Sequence, residues 1–451
     1  MTVANPQRPA PTAPRPYHFP SFERRRLDNG LTVWLVPLAG SGLANVHLLL
    51  DAGAAAEDEP HGGVAALTAQ LLVTGTQRLD ASAFAEAGER LGIEVSSESS
   101  WDSARAAFQA LPQYVGDGLE LLGEMVRQPR FDAAEFDRLK AERLADILQA
   151  RADPGRLADE MFLRHLYADS VPYRRSGAGL PETVSQLARD DVVAFHEAHY
   201  VPDGSHLIVA GSFDTDALLR DAERVLGDWR GASPGHRSIV PRRAGGRRLV
   251  VVDRPGSVQS ELRVGQIGID RFDPRYFSAS VMAALLGGVF GSRLNRRLRE
   301  ELGYTYSAHA TFDPRRSAGP FVARAAVQTE VTTDSIRELL AQLDGMRGAA
   351  PGADELREVK DYLVGVFPLR FETTGGVAAA IEPLAIYGLD DDYWQVYRSR
   401  IEAVTPDDAL AVATELITPD ELLILLTGDG SKLGDELRAA DFGPMEIVPA
   451  E

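Results

Sequence analysis

Arg299 and Tyr306, in the stretch LREELGYTYS at 298–307, are the side chains whose types and spacing best fit a chemical role. A guanidinium and a phenol can both donate hydrogen bonds to a carbonyl oxygen that acquires negative charge in a reaction. Gly303 predicts the end of the helix that carries Arg299, which places Tyr306 at the start of a strand. Alternatively, Arg299 is a surface ion-pair partner of a following glutamate and Tyr306 is an ordinary strand residue.

A second group with possible chemistry is the stretch FHEAHY at 195–200, which contains His196, Glu197 and His199. Two histidines and a carboxylate are potential metal ligands. However, the histidines are three residues apart, and neither a second pair nor a carboxylate cluster lies nearby in the sequence. We therefore interpret these side chains as structural or surface residues.

Composition excludes several classes of function. The chain has 451 residues and a net charge of −19, so it offers no basic surplus for nucleic-acid phosphates. The acidic balance would suit a cavity for basic or neutral peptides, but a solvated acidic surface is the favoured explanation. There is no cysteine, which excludes disulfides, thiolate zinc sites and a cysteine nucleophile.

The sequence contains no run of about 18 apolar residues, the length needed to cross a membrane as a helix. The N-terminal segment is rich in proline and lacks the apolar core of a signal peptide. From these features we expect a cytoplasmic protein without membrane contact, or a periplasmic one if a leader has been removed.

The chain contains an internal repeat of about half its length. Residues 191–211 match 408–428 at a constant offset of 217, and residues 89–99 match 300–310 at an offset of 211. In both copies of the first pair, a helical pattern stops at a Pro-Asp turn and an apolar strand then runs into glycine. Matches that keep their register in this way indicate a duplication.

The repeat predicts four parts. Residues 1–22 form a Pro-rich, flexible or extended arm, 23–230 the first domain, 231–247 a linker rich in Gly, Pro and Arg, and 248–451 the second domain. Each half opens with two strand-like runs and continues with long helical stretches. We therefore predict an α+β fold with two homologous sandwich domains, each a mostly antiparallel sheet covered by helices on one face, which together form a clamshell.

The stretch GVAALTAQLLVTGT at 63–76 is apolar on nearly every face, which is typical of a buried helix. It resembles the zinc-binding signature of the pitrilysin or insulinase-type peptidases, which reads roughly G-[IV]-A-H-x-L-E-H-x-L-F-x-G-T. The residues that match are Gly63, Val64, Ala65, Leu72, Gly75 and Thr76. At the two His positions and the Glu position, however, this chain has Ala66, Gln70 and Ala69.

The resemblance also implies a third ligand, a downstream Glu, and only Asp146 in the sequence LADI could take that place. Alanine has no lone pair, an amide is a poor zinc ligand, and one carboxylate does not hold zinc. We therefore predict no metal and no cofactor in this chain. The degenerate metal-motif positions are Ala66, Ala69, Gln70 and Asp146.

The stretch at 285–312 resembles the same family's second-domain signature, a Gly-rich turn followed by S-R-L and R-E-x-x-G-x-x-Y-S. The resemblance implies that Arg299 and Tyr306 reach across a cavity, bind the substrate backbone and stabilise the transition state at a zinc site. The glycines of the turn either allow a peptide to approach the backbone or simply form a tight turn. The predicted substrate-binding residues are Gly287, Gly288, Gly291 and Ser292.

The chain therefore resembles the zinc-less subunit of a bacterial heterodimeric peptidase. The resemblance implies a homologous, zinc-bearing partner subunit, peptide substrates and no activity of this chain alone. Two alternatives stay open at this stage. The chain could be a structural scaffold with no catalytic part, or a module that captures extended peptides at a sheet edge.

Overall fold

The computed structural model describes residues 15–450, which contain two six-stranded sheets. The first sheet has the strand order β1-β2-β6-β3-β5-β4, and the second has β12-β7-β11-β8-β10-β9. The strands are β1 (Glu23–Arg26), β2 (Thr32–Pro37), β3 (Ala44–Leu50), β4 (Ser96–Ser99), β5 (Ala104–Ala110), β6 (His206–Gly211), β7 (Arg248–Asp253), β8 (Gln259–Ile267), β9 (Thr305–Phe312), β10 (Pro320–Gln328), β11 (Leu423–Gly428) and β12 (Met445–Pro449).

Both sheets are mixed, with antiparallel pairs in the majority. In the first sheet only β2 and β6 pair in parallel, and in the second sheet β7 pairs in parallel with both β11 and β12. Each sheet therefore combines consecutive antiparallel strands with a strand that returns from the end of its half. This arrangement confirms the α+β fold with two sheet domains.

Helices surround both sheets and make up most of the remaining chain. They are α1 (Val64–Leu72), α2 (Ala81–Leu91), α3 (Val115–Arg127), α4 (Ala133–Ala152), α5 (Pro154–Leu166), α6 (Pro181–Gln186), α7 (Arg189–His199), α8 (Thr215–Leu226), α9 (Tyr276–Ala283), α10 (Thr332–Gly348), α11 (Ala353–Val366), α12 (Thr374–Tyr387), α13 (Tyr393–Ala403), α14 (Pro406–Leu416) and α15 (Gly430–Ala440).

The repeat in the sequence corresponds to the same structural unit in each half. Helix α7 leads into the buried strand β6, and α14 leads into the buried strand β11. Helix α14 begins with a capping box in which the Thr405 hydroxyl and the Asp408 carboxylate each accept a backbone N–H. The strand of each unit lies inside its sheet, because β6 pairs with β2 and β3 while β11 pairs with β7 and β8.

One helix of each half packs on the sheet of the other half. Helix α5 packs on β8 and β11 of the second sheet, and α12 packs on β3 and β6 of the first sheet. The buried side chains Met161 and Phe162 of α5 belong to one apolar cluster with Val250 and Leu425 of the second sheet. The prediction that helices cover only one face is therefore wrong. Both faces carry apolar strand residues, and the exchanged helix covers the second face.

Where the structure describes them, the arm and the linker both lie against the rest of the molecule. In the described part of the arm, residues 15–22, the Phe19 side chain is buried and lies against Phe371 and Trp394 of the second half. The remainder of the predicted arm lies outside the described residues. The linker runs along the molecule, where Ile239 is buried in the cluster around α5. Both segments contain apolar side chains, and burying those side chains fixes their course.

No helix between residues 15 and 450 has the length and apolar character required to cross a membrane.

Candidate functional site

Helix α1 carries the positions at which the family signature has its zinc ligands. Ala66 and Ala69 are buried, and Gln70 is the one residue of the helix that reaches partial exposure. The Gln70 side-chain oxygen is itself buried and has no hydrogen-bond partner within the described chain. Helix α1 is therefore part of the buried core, as its composition predicts. At the three positions of the metal motif it carries two methyl groups and one amide.

The N-terminus of α1 is held by a buried ion pair that sequence reasoning missed. The Glu57 carboxylate accepts hydrogen bonds from the backbone N–H groups of Gly63 (3.1 Å) and Ala65 (2.8 Å), and it pairs with the Arg175 guanidinium at 2.5 Å. Both side chains are nearly fully buried. Burial raises the pKa of Glu57, and the charge of Arg175 opposes that rise. The carboxylate satisfies backbone donors at the helix start that would otherwise be unpaired.

Within residues 15–450 the other candidate ligands do not form a metal site, although the helices that carry them, α4 and α7, pack against α1. Asp146 is exposed on α4. Nε2 of His196 lies 2.7 Å from the Val126 carbonyl oxygen, to which it donates, and burial lowers the pKa of this histidine. Between residues 15 and 450, no three His, Asp or Glu side chains are grouped so that they could hold a metal ion. The residues present therefore do not fit the zinc ion of the family.

The Gly-rich turn of the second half begins in one π-helical segment, Ala284–Gly288, and is followed by a second one, Asn295–Glu301. Such segments are rare and are frequent at functional sites. A Cβ atom at Gly287 would lie 2.3 Å from the backbone nitrogen of Ala310, so only glycine allows this close packing on β9. Gly288 and Gly291 are exposed.

Buried polar contacts attach the turn to β9. Asn295 donates to the Ser292 hydroxyl at 3.2 Å and accepts the backbone N–H of Ala308 at 2.9 Å. Ser292 is 1% exposed, so its side chain supports the turn from inside. Of the four predicted substrate-binding positions, the structure thus places Gly288 and Gly291 at the surface. Gly287 and Ser292 are interior, and the binding role of the turn stays a prediction.

Arg299 lies between two exposed aromatic rings. Its guanidinium carbon is 4.4 Å from the ring centre of Phe290 and 5.2 Å from that of Tyr306. The two aromatic side chains are 65% and 85% exposed, respectively. Such cation–π contacts contribute about 0.5–1 kcal/mol each at exposed sites, enough to favour one orientation of the guanidinium. Phe290 was not among the predicted site residues, because a single phenylalanine in a turn carries no sequence signal.

The alternative in which Arg299 serves as a surface ion-pair partner does not match the structure. Glu301 pairs with Arg297 at 2.8 Å, and Arg297 also forms a two-point contact with Glu338. Across residues 15–450, Arg299 has neither an ion pair nor a hydrogen bond. Gly303 adopts a left-handed conformation with φ of 67° after the π-helical segment, and β9 then begins at Thr305 as predicted. The donors of Arg299 and Tyr306 are thus free to face a ligand.

Two sequence models of one family match the chain, each over a different part. The model described as insulinase (peptidase family M16) matches residues 39–176, and the model described as peptidase M16 inactive domain matches residues 186–363. The chain belongs to this family, which confirms the resemblance in its two signatures. It is an inactive member, because α1 has Ala66, Ala69 and Gln70 where the signature requires two His and a Glu.

Similar proteins align with most of the chain. An uncharacterised zinc protease of Streptomyces coelicolor is 24% identical over 88% of this chain and 87% of its own length. The non-peptidase homolog YmxG of Helicobacter pylori is 24% identical over 73% of this chain and 76% of its length. The mitochondrial-processing peptidase subunit beta of Blastocladiella emersonii is 24% identical over 92% and 90%, respectively.

Two crystal structures share the fold. A peptidase M16 inactive domain from Pseudomonas fluorescens superimposes with a TM-score of 0.84 at 23% identity, covering 90% of this chain and 98% of that one. A protease from Helicobacter pylori gives a TM-score of 0.82 at 19% identity, with 91% and 100% coverage. At these identities the likeness establishes the two-sheet fold.

Proposed function

We propose that this chain is the zinc-less subunit of a heterodimeric metallopeptidase, and that it supplies Arg299 and Tyr306 to the site of a homologous, zinc-bearing subunit. One observation carries the proposal. The metal positions of α1 are filled by two buried alanines and one half-buried glutamine, whereas Tyr306 is exposed, Arg299 lies half-buried beside it, and neither side chain has an ion pair or a hydrogen bond in the described chain. A relative named as a peptidase subunit supports a role in an assembly.

The chemistry divides between the two subunits. The chemistry that a zinc ion held by the partner would supply is polarisation of the scissile carbonyl and activation of a water molecule. In this chain, the Arg299 guanidinium and the Tyr306 hydroxyl donate hydrogen bonds to the oxygen that becomes negative in the transition state. Phe290 holds the guanidinium in place from its other side. One donor of this kind typically contributes about a hundred- to a thousandfold in rate.

Peptide capture without a zinc-bearing partner is the second candidate function. Strand β9 is at the edge of the second sheet, and Tyr306 together with this edge borders an open groove. An extended peptide could pair with such an edge through its backbone. This alternative needs no catalytic role for Arg299.

The first experiment is a mild affinity purification of the chain from its host, with zinc and peptide-hydrolysis assays on the eluate and on the chain expressed alone. We expect a similar-sized zinc-bearing chain to co-elute and the complex to cleave peptides until a chelator is added. The chain alone should be inactive, and its thermal stability should not respond to the chelator. Elution of the chain alone, inert and metal-free, would contradict the proposal and favour peptide capture or a scaffold role. Fractionation of the same cells tests our expectation that the complex is cytoplasmic.

A further inference from the structure

An open groove of about 660 Å³ lies on the face of the second sheet that α5 covers only in part. We call it the inner groove and define it by Glu261, Arg263, Tyr306, His309 and Arg324, which line it together with neighbouring strand residues. Its volume lies within the range of known ligand sites. Tyr306 belongs to both the inner groove and the Arg299 site, so a peptide at one site can extend into the other.

Three basic side chains lie in register across the inner groove. Arg324 on β10 is directly opposite Arg263 on β8 and directly opposite His309 on β9. Residues opposite each other on neighbouring strands have their side chains on the same face, within about 5 Å at Cβ. Like charges in such positions destabilise a sheet. Burial and the charge of Arg324 lower the pKa of His309, so the like charges of this row are those of Arg263 and Arg324, and that pair is unfavourable unless anions compensate it.

Among the residues that the structure describes, carboxylates compensate only the Arg263 end of this row. Arg263 is buried, donates to Asp159 of α5 at 2.5 Å, and also pairs with Glu261 at 3.1 Å. Arg324 is exposed, and within residues 15–450 it has neither a carboxylate partner nor a hydrogen bond. In a chain of net charge −19, a cation that faces an open groove without a counter-ion is well placed for an external carboxylate.

We propose that the inner groove binds an acidic side chain of an extended peptide, whose carboxylate is held by Arg324 with His309 beside it. The inference rests on the proposed function, since it adds a substrate preference to the same site. A guanidinium can grip a carboxylate through two parallel hydrogen bonds. His309 is three residues beyond Tyr306 on β9, which corresponds to about 10 Å at the rise of a strand. An extended substrate therefore carries its acidic residue about three positions from the bond that is cleaved.

The test uses the full chain without a partner and three fluorescein-labelled nonapeptides that differ only in a central Glu, Gln or Lys. Binding is measured by fluorescence anisotropy. We expect the Glu peptide to bind about tenfold more tightly than the Gln peptide, the lower end for hydrogen bonds between charged groups. Arg324→Gln should remove this preference, and Arg324→Glu should transfer it to the Lys peptide. Arg337→Gln is the matched control, because Arg337 is an exposed arginine on α10 that pairs only with Asp334.

Several outcomes overturn the inference. They are equal binding of the Glu and Gln peptides, an unchanged preference in Arg324→Gln, loss of preference in the Arg337→Gln control, and no binding of any peptide by the wild-type chain. Thermal melts of all variants show whether the fold is intact. Because this assay needs no second subunit, it separates the two proposals. A Glu preference with no zinc-bearing partner in the host refutes the subunit role alone, whereas an active complex without a Glu preference refutes the acidic subsite alone.

Discussion

Helix α1 in the first half and the Gly-rich turn in the second half lie at the two signatures of one family, but they differ in what is left at the surface. Around α1, Ala66 and Ala69 are buried, and the helix start is closed by the Glu57–Arg175 pair. At the turn, Tyr306 and the aromatic contact of Arg299 remain open to solvent. The first region is structural, whereas Arg299 and Tyr306 in the second have neither an ion pair nor a hydrogen bond within residues 15–450.

This difference shows how to separate folding from function in the molecule. Substitutions around α1 should change stability, because they act on buried groups. Substitutions of Phe290, Arg299 and Tyr306 should change the activity of the assembled enzyme, because these side chains are exposed or half-buried and their removal leaves no closed cavity.

The largest effect is expected from Arg175→Met. This substitution leaves the Glu57 carboxylate buried without its cation, which costs about 3–5 kcal/mol for a pair of this kind. Urea unfolding should show a lower midpoint. Arg174→Met is the control, because Arg174 pairs with the largely exposed Asp169 and should lose less than about 1 kcal/mol. Equal urea midpoints for Arg175→Met and Arg174→Met would contradict the structural role of the Glu57–Arg175 pair at α1.

The next effect concerns Arg299→Ala and Tyr306→Phe in the assembled enzyme. Each should lower kcat by about a hundred- to a thousandfold, since one transition-state donor is lost. The free energy of unfolding should change by less than about 0.5 kcal/mol in Tyr306→Phe, as for other surface positions. In Arg299→Ala it should fall by about 1–2 kcal/mol, because two cation–π contacts are lost. Arg296→Ala, an exposed arginine on the same π-helical segment, should keep the wild-type rate. Unchanged kcat in both Arg299→Ala and Tyr306→Phe would contradict the catalytic role proposed for these side chains.

Acid should weaken the first half through His206 on β6. The Trp34 indole donates to its Nδ1 at 3.1 Å, and burial, followed by the charges of Arg24 and Arg26, lowers its pKa from 6.5 to about 4. As the pH falls, the unfolded chain therefore binds this proton before the folded chain does. The free energy of unfolding consequently decreases as the pH drops from 6.5 to 4. The loss should reach about 2–3 kcal/mol.

Urea midpoints measured across this pH range test the effect. His206→Gln keeps an acceptor for Trp34 but does not titrate, so its curve should be flatter over the same interval. A wild-type curve with the same slope as the His206→Gln curve would show that another group controls the acid response of the first half.

The smallest effect is expected from Phe290→Ala. Losing one cation–π contact of about 0.5–1 kcal/mol should slow the assembled enzyme two- to fivefold by loosening Arg299. Phe290→Tyr retains a ring and should restore the rate, which a purely structural role in the turn would not require. A loss as large as that of Arg299→Ala would instead make Phe290 a substrate contact in its own right.

Much of the fold and one half of the site could be predicted from local patterns. The repeat at 191–211 and 408–428 identified equivalent helix–strand units, because a Pro-Asp turn and an apolar run are local signals. The replacement of zinc ligands at 66, 69 and 70 is equally local, since a methyl group cannot bind metal in any fold. Arg299 and Tyr306 were identified through spacing and family resemblance, because both lie in one continuous motif.

The tertiary structure alone decided the contacts between residues far apart in the chain. Helices α5 and α12 exchange between the halves, and Glu57 meets Arg175 across 118 residues. Shorter-range contacts were also decided by the structure: a turn brings Phe290 to Arg299, and strand register aligns Arg324 with His309. The periodicity of the sequence shows which side of an element is apolar, and it therefore predicted the elements. The residue types at positions 66, 69 and 70 showed that the metal ligands are replaced. The periodicity does not show which distant element covers the apolar side, because that choice depends on how all the elements pack together.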